Sequence, residues 1–304
     1  MTTDDASGVW HDRGVQPRPR SEPLGSEPLG DASITEGASL VTSAATVAGV
    51  TALVGGAVLG GAAFAGPLPY AIAILLAQLA LVGAWCLVTR PPGTRGTAVV
   101  GVLTAIAADA VALATGERGA GGLVAVLACA FGATTFTQLA RGVKRRNVTE
   151  AFGSTLTMAV AVIALAATVA LRQAENPDLV ALIVAAAAVA MVIARLADLV
   201  LPRPAAHRDV PRGVVGLALG SAVAAGASAL AVQLGLNLAL GPATLVGWLV
   251  GTAAVLADLG VDFARAGRIA AGGRPTGGLA GPALGPLVAL AVAAPIGYLA
   301  GLTL

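Results

Sequence analysis

Asp109 is the residue best placed to do chemistry. It is the thirteenth residue of the apolar stretch 97–115, set in Ala105-Ile106-Ala107-Ala108-Asp109-Ala110 and about three residues past its midpoint. An ionisable side chain at bilayer depth costs about 3 kcal/mol on insertion scales, and such residues mark ion pathways and proton relays. A carboxyl in that position needs a donor or a cation. Gln78 and Gln138 are the deepest polar side chains on neighbouring stretches, and Thr104, Thr134 and Thr135 offer hydroxyls. Two roles fit: a proton or cation site, or a protonated carboxyl that hydrogen-bonds two helices together.

A second group lies at two apolar-stretch ends, Arg195-Leu196-Ala197-Asp198-Leu199 and Leu256-Ala257-Asp258-Leu259-Gly260-Val261-Asp262. Helical spacing puts Arg195 with Asp198 at i,i+3 and Asp258 with Asp262 at i,i+4, each pair on one face. Two carboxylates on a face can hold a divalent cation, which prefers oxygen ligands, and a cation can in turn hold a phosphate. Arg265 and Arg268 follow one turn on, so interfacial ion pairing accounts for the same acids, and no metal is assigned.

These residues need helices to carry them. From Ser39 the chain is a succession of apolar stretches, and about 20 apolar residues cross the hydrocarbon core. Nine are predicted, at 41–65, 68–89, 97–115, 122–140, 154–171, 179–201, 214–235, 242–260 and 280–303. Continuous apolar runs favour helices over the alternating ten-residue segments of a membrane barrel. The fold class is therefore an all-α polytopic integral membrane protein, a bundle of about nine transmembrane helices. Pro295 is expected to kink the last one. The shared Leu-Ala-Asp-Leu, followed by Gly216-Leu217-Ala218-Leu219-Gly220 and Gly281-Pro282-Ala283-Leu284-Gly285, suggests a parallel repeat of 179–235 and 242–303.

Charge placement orients the bundle. Short cytoplasmic loops hold the positive residues. With the N-terminus cytoplasmic, the inner segments carry Arg13, Arg18 and Arg20; Arg90 and Arg95; Arg141, Lys144, Arg145 and Arg146; Arg195, Arg203, Arg208 and Arg212; and Arg265, Arg268 and Arg274. Only Arg118 and Arg172 fall outside, and nine helices place the C-terminus externally. The basic inner rim either fixes topology or draws anionic lipid headgroups, at about 1 kcal/mol per residue near the surface.

The composition agrees. Of the 304 residues 57% are hydrophobic and 11% charged, against about 25% charged in soluble domains, which excludes a soluble globule. Residues 1–38 hold the tandem SEPLGSEPLG and no apolar run, so they read as a disordered cytoplasmic tail ahead of the bundle at 39–304. A single Lys among the 18 basic residues, with abundant Ala and Gly, points to a bacterium of high genomic GC and to its cytoplasmic membrane.

Several chemistries are excluded. Cys86 and Cys129 form no CxxC and read as small buried apolar residues; His11 and His207 lie in the tail and a loop, leaving neither a haem nor a zinc site. There is no phosphate-cradling loop, no GxSxG and no basic aromatic surface for nucleic acid. Tyr70 and Tyr298 are expected at the outer interface. Ala257-Asp258-Leu259, with Arg265 and Gly277-Gly278 after it, resembles over about 30 residues part of the signature of the CDP-diacylglycerol synthases. It departs from that signature by lacking the family's His, the following Asp/Arg pair and the Lys-Asp element. The resemblance would imply an enzyme of lipid phosphates acting at the inner face.

The expected function is a membrane partner or assembly protein, or a transporter of a small molecule or lipid, without cofactor and leaning away from catalysis. The alternative is the lipid-phosphate enzyme. Expected partners are membrane lipids, their anionic headgroups at the inner face, and a protein partner or second copy. Site candidates are Asp109, Gln78 and Gln138, and at the inner face Arg195, Asp198, Asp258, Asp262 and Arg265.

Overall fold

A computed structural model describes residues 31–116, 119–142, 147–174, 176–201, 205–207, 210–272 and 278–302. The SEPLG repeat and residues 1–30 of the expected tail lie outside them. Among the described residues nine helices are long and apolar enough to cross a membrane, so the chain is a multi-pass all-α membrane protein. They are α1 (Asp31–Ala65), α2 (Pro67–Thr89), α3 (Thr94–Thr115), α4 (Gly119–Ala140), α5 (Val148–Gln173), α6 (Pro177–Val200), α7 (Val214–Gln233), α8 (Leu240–Ala270) and α9 (Ala280–Gly301).

Local sequence sets the ends. Gly66, at φ 119°, separates α1 from α2, and Pro67 starts α2 at a position whose N–H would have no helical acceptor. The Asn176 side chain accepts from the Leu179 N–H and starts α6, with Pro177 again at the first helical position. α9 runs on through Pro286 and Pro295.

Three boundaries differ from expectation by six residues or more: α1 begins at Asp31, ten residues before the predicted 41 and within the stretch expected as a disordered tail. α5 begins at Val148, six residues before the predicted 154, and α8 runs to Ala270 rather than ending near 260. Hydropathy registers only apolar runs. The last turns of α8 carry Asp262, Arg265 and Arg268 and are held by ion pairs instead.

The helices fall into two packed groups over Leu40–Leu304, α2 to α5 and α6 to α9, joined where α9 lies against α5 and α2. α5, α6 and α9 are the most buried, whereas α1, α4 and α7 turn most of their surface outward. Small residues allow the close crossings. A side chain on Gly220 would come within 2.6 Å of the Ala190 carbonyl, and one on Gly247 would strike Ser228. Cys129 is exposed on α4, contrary to the buried position expected, because α4 is peripheral.

The α6–α7 connection holds a two-stranded antiparallel ribbon, β1 (Ala205–His207) and β2 (Val210–Gly213), pairing Ala205 with Gly213 and His207 with Val210. Successive strand residues point to opposite faces. Val210 and Arg212 therefore share the inward face, and both are buried.

Candidate functional site

Asp109 sits on the buried face of α3, six residues before the helix ends at Thr115. Its partner is Gln78, on the α2 face that also buries Tyr70 and Ile74 at four-residue intervals. Gln78 Nε2 donates to Asp109 Oδ1 at 3.0 Å and to the Val162 carbonyl of α5 at 3.1 Å. The second bond fixes the amide's orientation, since a reversed amide would set oxygen against carbonyl oxygen. Both N–H groups are thus used, and three helices meet at one amide. Gln78 Oε1, Asp109 Oδ2 and the Tyr70 hydroxyl are buried with no hydrogen-bond partner among the described residues. In an apolar interior each unmade bond costs about 1–3 kcal/mol, and the two acceptor oxygens of the Gln78–Asp109 pair lack a donor.

Tyr70, expected near the outer interface, occupies the fourth position of α2 and is fully buried, lining a gap of about 10 Å³ with Thr168, Leu59 and Ile183. Interfacial and buried tyrosines look alike in sequence, because both fall near a helix end. Gln138 is not at this junction. It accepts from Arg141 Nη1 at 2.8 Å beside the first turn of α3, about 20 Å along that helix from Asp109. Thr134 and Thr135 donate to carbonyls of their own helix.

The inner-end residues come together as one network. Arg195 donates through Nε and Nη2 to the two oxygens of Asp258, at 2.9 and 2.6 Å, and lies 3.1 Å from Asp262. It thus bridges α6 to α8 instead of pairing with Asp198 on its own helix. Asp198 is engaged by Arg212 Nε at 2.9 Å and by the Gly213 N–H at 2.8 Å, which ties the end of α6 to the start of α7. Arg212 Nη1 reaches Asp258 at 2.7 Å and Asp262 at 3.2 Å. Arg265 stands at the rim, 3.9 Å from Asp262. Each Leu-Ala-Asp-Leu carboxylate also lies against a glycine of the next helix, where an added Cβ would strike it: Asp198 against Gly216 and Asp258 against Gly285.

No protein-family model, curated protein or solved structure matches the chain. The chemistry of both clusters therefore rests on their own atoms. Among the described residues no three His, Cys, Asp or Glu side chains gather as a metal-binding set. Asp258 and Asp262, considered as cation ligands, are bonded to guanidinium groups. Burial alone would pull the Arg212 pKa down; Asp258, Asp262 and Asp198 more than reverse this and hold it above the ordinary arginine value. Arg212 had been counted only as a loop charge. The one sequence signal for it is the Val210-x-Arg212 alternation directly ahead of an apolar helix.

Proposed function

We propose that the chain is a transport protein of a bacterial cytoplasmic membrane, moving a small molecule or a lipid, with Asp109 as its proton-binding group. The observation that carries this reading is the buried Asp109 carboxyl with one oxygen bonded to Gln78 and the other unpartnered, a costly arrangement that a structural contact alone would not need. The arginine distribution supports a cytoplasmic N-terminus and external C-terminus, and the Arg, Ala and Gly bias supports the bacterial source. A reporter fused after Leu304 that reads as external would agree with this orientation; a cytoplasmic reading would reverse it.

The test uses proteoliposomes holding a trapped pH dye and a trace of NBD-labelled phosphatidylglycerol, given an inward proton gradient. Protein-dependent lipid movement or proton entry that disappears in Asp109→Asn supports the reading. Identical traces from wild type, variant and empty liposomes remove it. A second reading, a non-catalytic membrane partner, draws support from the inner network, where all three acids are bonded to arginines as a structural clamp would be. Its sign would be a stable co-purifying protein together with tolerance of substitution at Asp109, Asp198, Asp258 and Asp262. The enzyme alternative would have to free Asp258 or Asp262 from Arg195 and Arg212 first.

A further inference from the structure

We infer that Asp109 and Gln78 form a single proton-binding site in which the bound proton sits on Asp109 Oδ2 and is donated to Gln78 Oε1. This rests on Asp109 as the proton-binding group and adds the atom that receives the hydrogen bond. A carboxylic acid and a primary amide close an eight-membered ring through two hydrogen bonds, N–H to one carboxyl oxygen and O–H to the amide oxygen. The first is present, Nε2 to Oδ1 at 3.0 Å. The two remaining corners of that ring, Gln78 Oε1 and Asp109 Oδ2, are the two buried acceptors of this pair without partners. The Val162 carbonyl takes the other amide hydrogen, so the amide cannot turn over to offer Oδ2 an N–H without losing that bond.

One proton from water, added to Oδ2, would satisfy both atoms; its loss leaves two buried acceptor oxygens without a donor. A metal cation fits less well, since hard divalent cations take about six or more oxygen ligands. The Gln78–Asp109 pair leaves two oxygens unfilled, Oδ2 and Oε1. Of the titratable side chains on the helices packed against α3, namely Tyr70 and Cys86 on α2, Cys129 on α4 and Glu150 and Arg172 on α5, Tyr70 is the one in electrostatic contact with Asp109.

The test is infrared difference spectroscopy of the full chain in lipid nanodiscs across the neutral pH range. A protonated-carboxyl band that is absent in Asp109→Asn is expected. In Gln78→Leu it should move to higher wavenumber, because both ring bonds are gone, and in wild type NaCl or MgCl₂ in place of choline chloride should leave it unchanged. Absence of the band in wild type, a band unmoved by Gln78→Leu, or a band erased by either metal salt would overturn the inference. A band that behaves as expected in a protein showing no transport would instead refute the transport reading and leave the proton site standing.

Discussion

Replacing Arg212 with Met tests whether the inner network holds the α6, α7 and α8 ends together. The side chain is 4% exposed and makes three ion pairs, at 2.9, 2.7 and 3.2 Å. Met keeps much of the apolar stem but removes the charge. Asp198 would retain only the Gly213 N–H among the bonds described for it, and three carboxylates would face Arg195 and the rim Arg265. Removing one partner of a buried pair costs about 3–5 kcal/mol, because the other charge is left uncompensated. That corresponds to a loss of roughly a hundredfold to several thousandfold in the folded-to-unfolded ratio. The assay is reversible SDS unfolding of the micelle-embedded protein, followed by tryptophan fluorescence. Arg265→Met is the reference, since its single 3.9 Å contact lies at the rim and should contribute about 0–1 kcal/mol. Adding Asp198→Asn to Arg212→Met should recover part of the loss. If Arg212→Met cost no more than Arg265→Met, the clamp reasoning would be wrong.

Further outcomes follow from the same geometry. Gly285→Ala drives a methyl into the Asp258 carboxylate and should lose about 1–3 kcal/mol, whereas Gly260→Ala, with open space around it, should be neutral or gain up to about 1 kcal/mol in the same unfolding assay. Tyr70→Phe deletes a buried hydroxyl that meets no described residue in good hydrogen-bond geometry and has Thr168 as its nearest side-chain candidate, so unfolding should show stability changed by less than about 1 kcal/mol; a larger loss would reveal a Tyr70–Thr168 bond. Because the Arg212 pKa is raised, its charge-dependent stabilisation is fully present below the ordinary arginine pKa and is lost only as pH rises beyond it. The stability difference between wild type and Arg212→Met should accordingly stay constant from neutrality to about pH 10, and a decline over that range would contradict the assignment.

Much of the architecture was legible because membrane helices announce themselves by length and apolarity alone. That a lone deep acid such as Asp109 must find a deep donor followed from the sequence too, with Gln78 and Gln138 as equal candidates. What sequence could not reveal was pairing between helices. Gln138 looked as suitable as Gln78, but the α3–α4 packing sets it against Arg141 at the first turn of α3. The Arg195–Asp198 spacing on α6 was real, yet each residue found a better partner elsewhere, Asp258 and Asp262 for one and Arg212 for the other. Arg212 itself was hidden because a loop arginine that fixes topology and one that enters the bundle have the same local signature. The enclosure of Tyr70 was hidden for a related reason, since its burial depends on what α1, α5 and α6 place around it.

The inner network also has a direction in time. Asp198 and Arg212 are 14 residues apart and can meet as soon as α7 starts to emerge, but the remaining carboxylates, Asp258 and Asp262, arrive with α8. Until then the α6–α7 hairpin holds two arginines against one acid of this set, an excess of one positive charge that, in the proposed orientation, would keep this end on the cytoplasmic side. α8 brings Asp258 and Asp262 together with Arg265, a net charge of minus one that cancels the excess and ties the helix ends together. In that orientation the same guanidinium groups would serve topology first and tertiary closure second. A chain stalled before α8 should accordingly present an open α6–α7 hairpin whose arginines remain accessible to aqueous reagents.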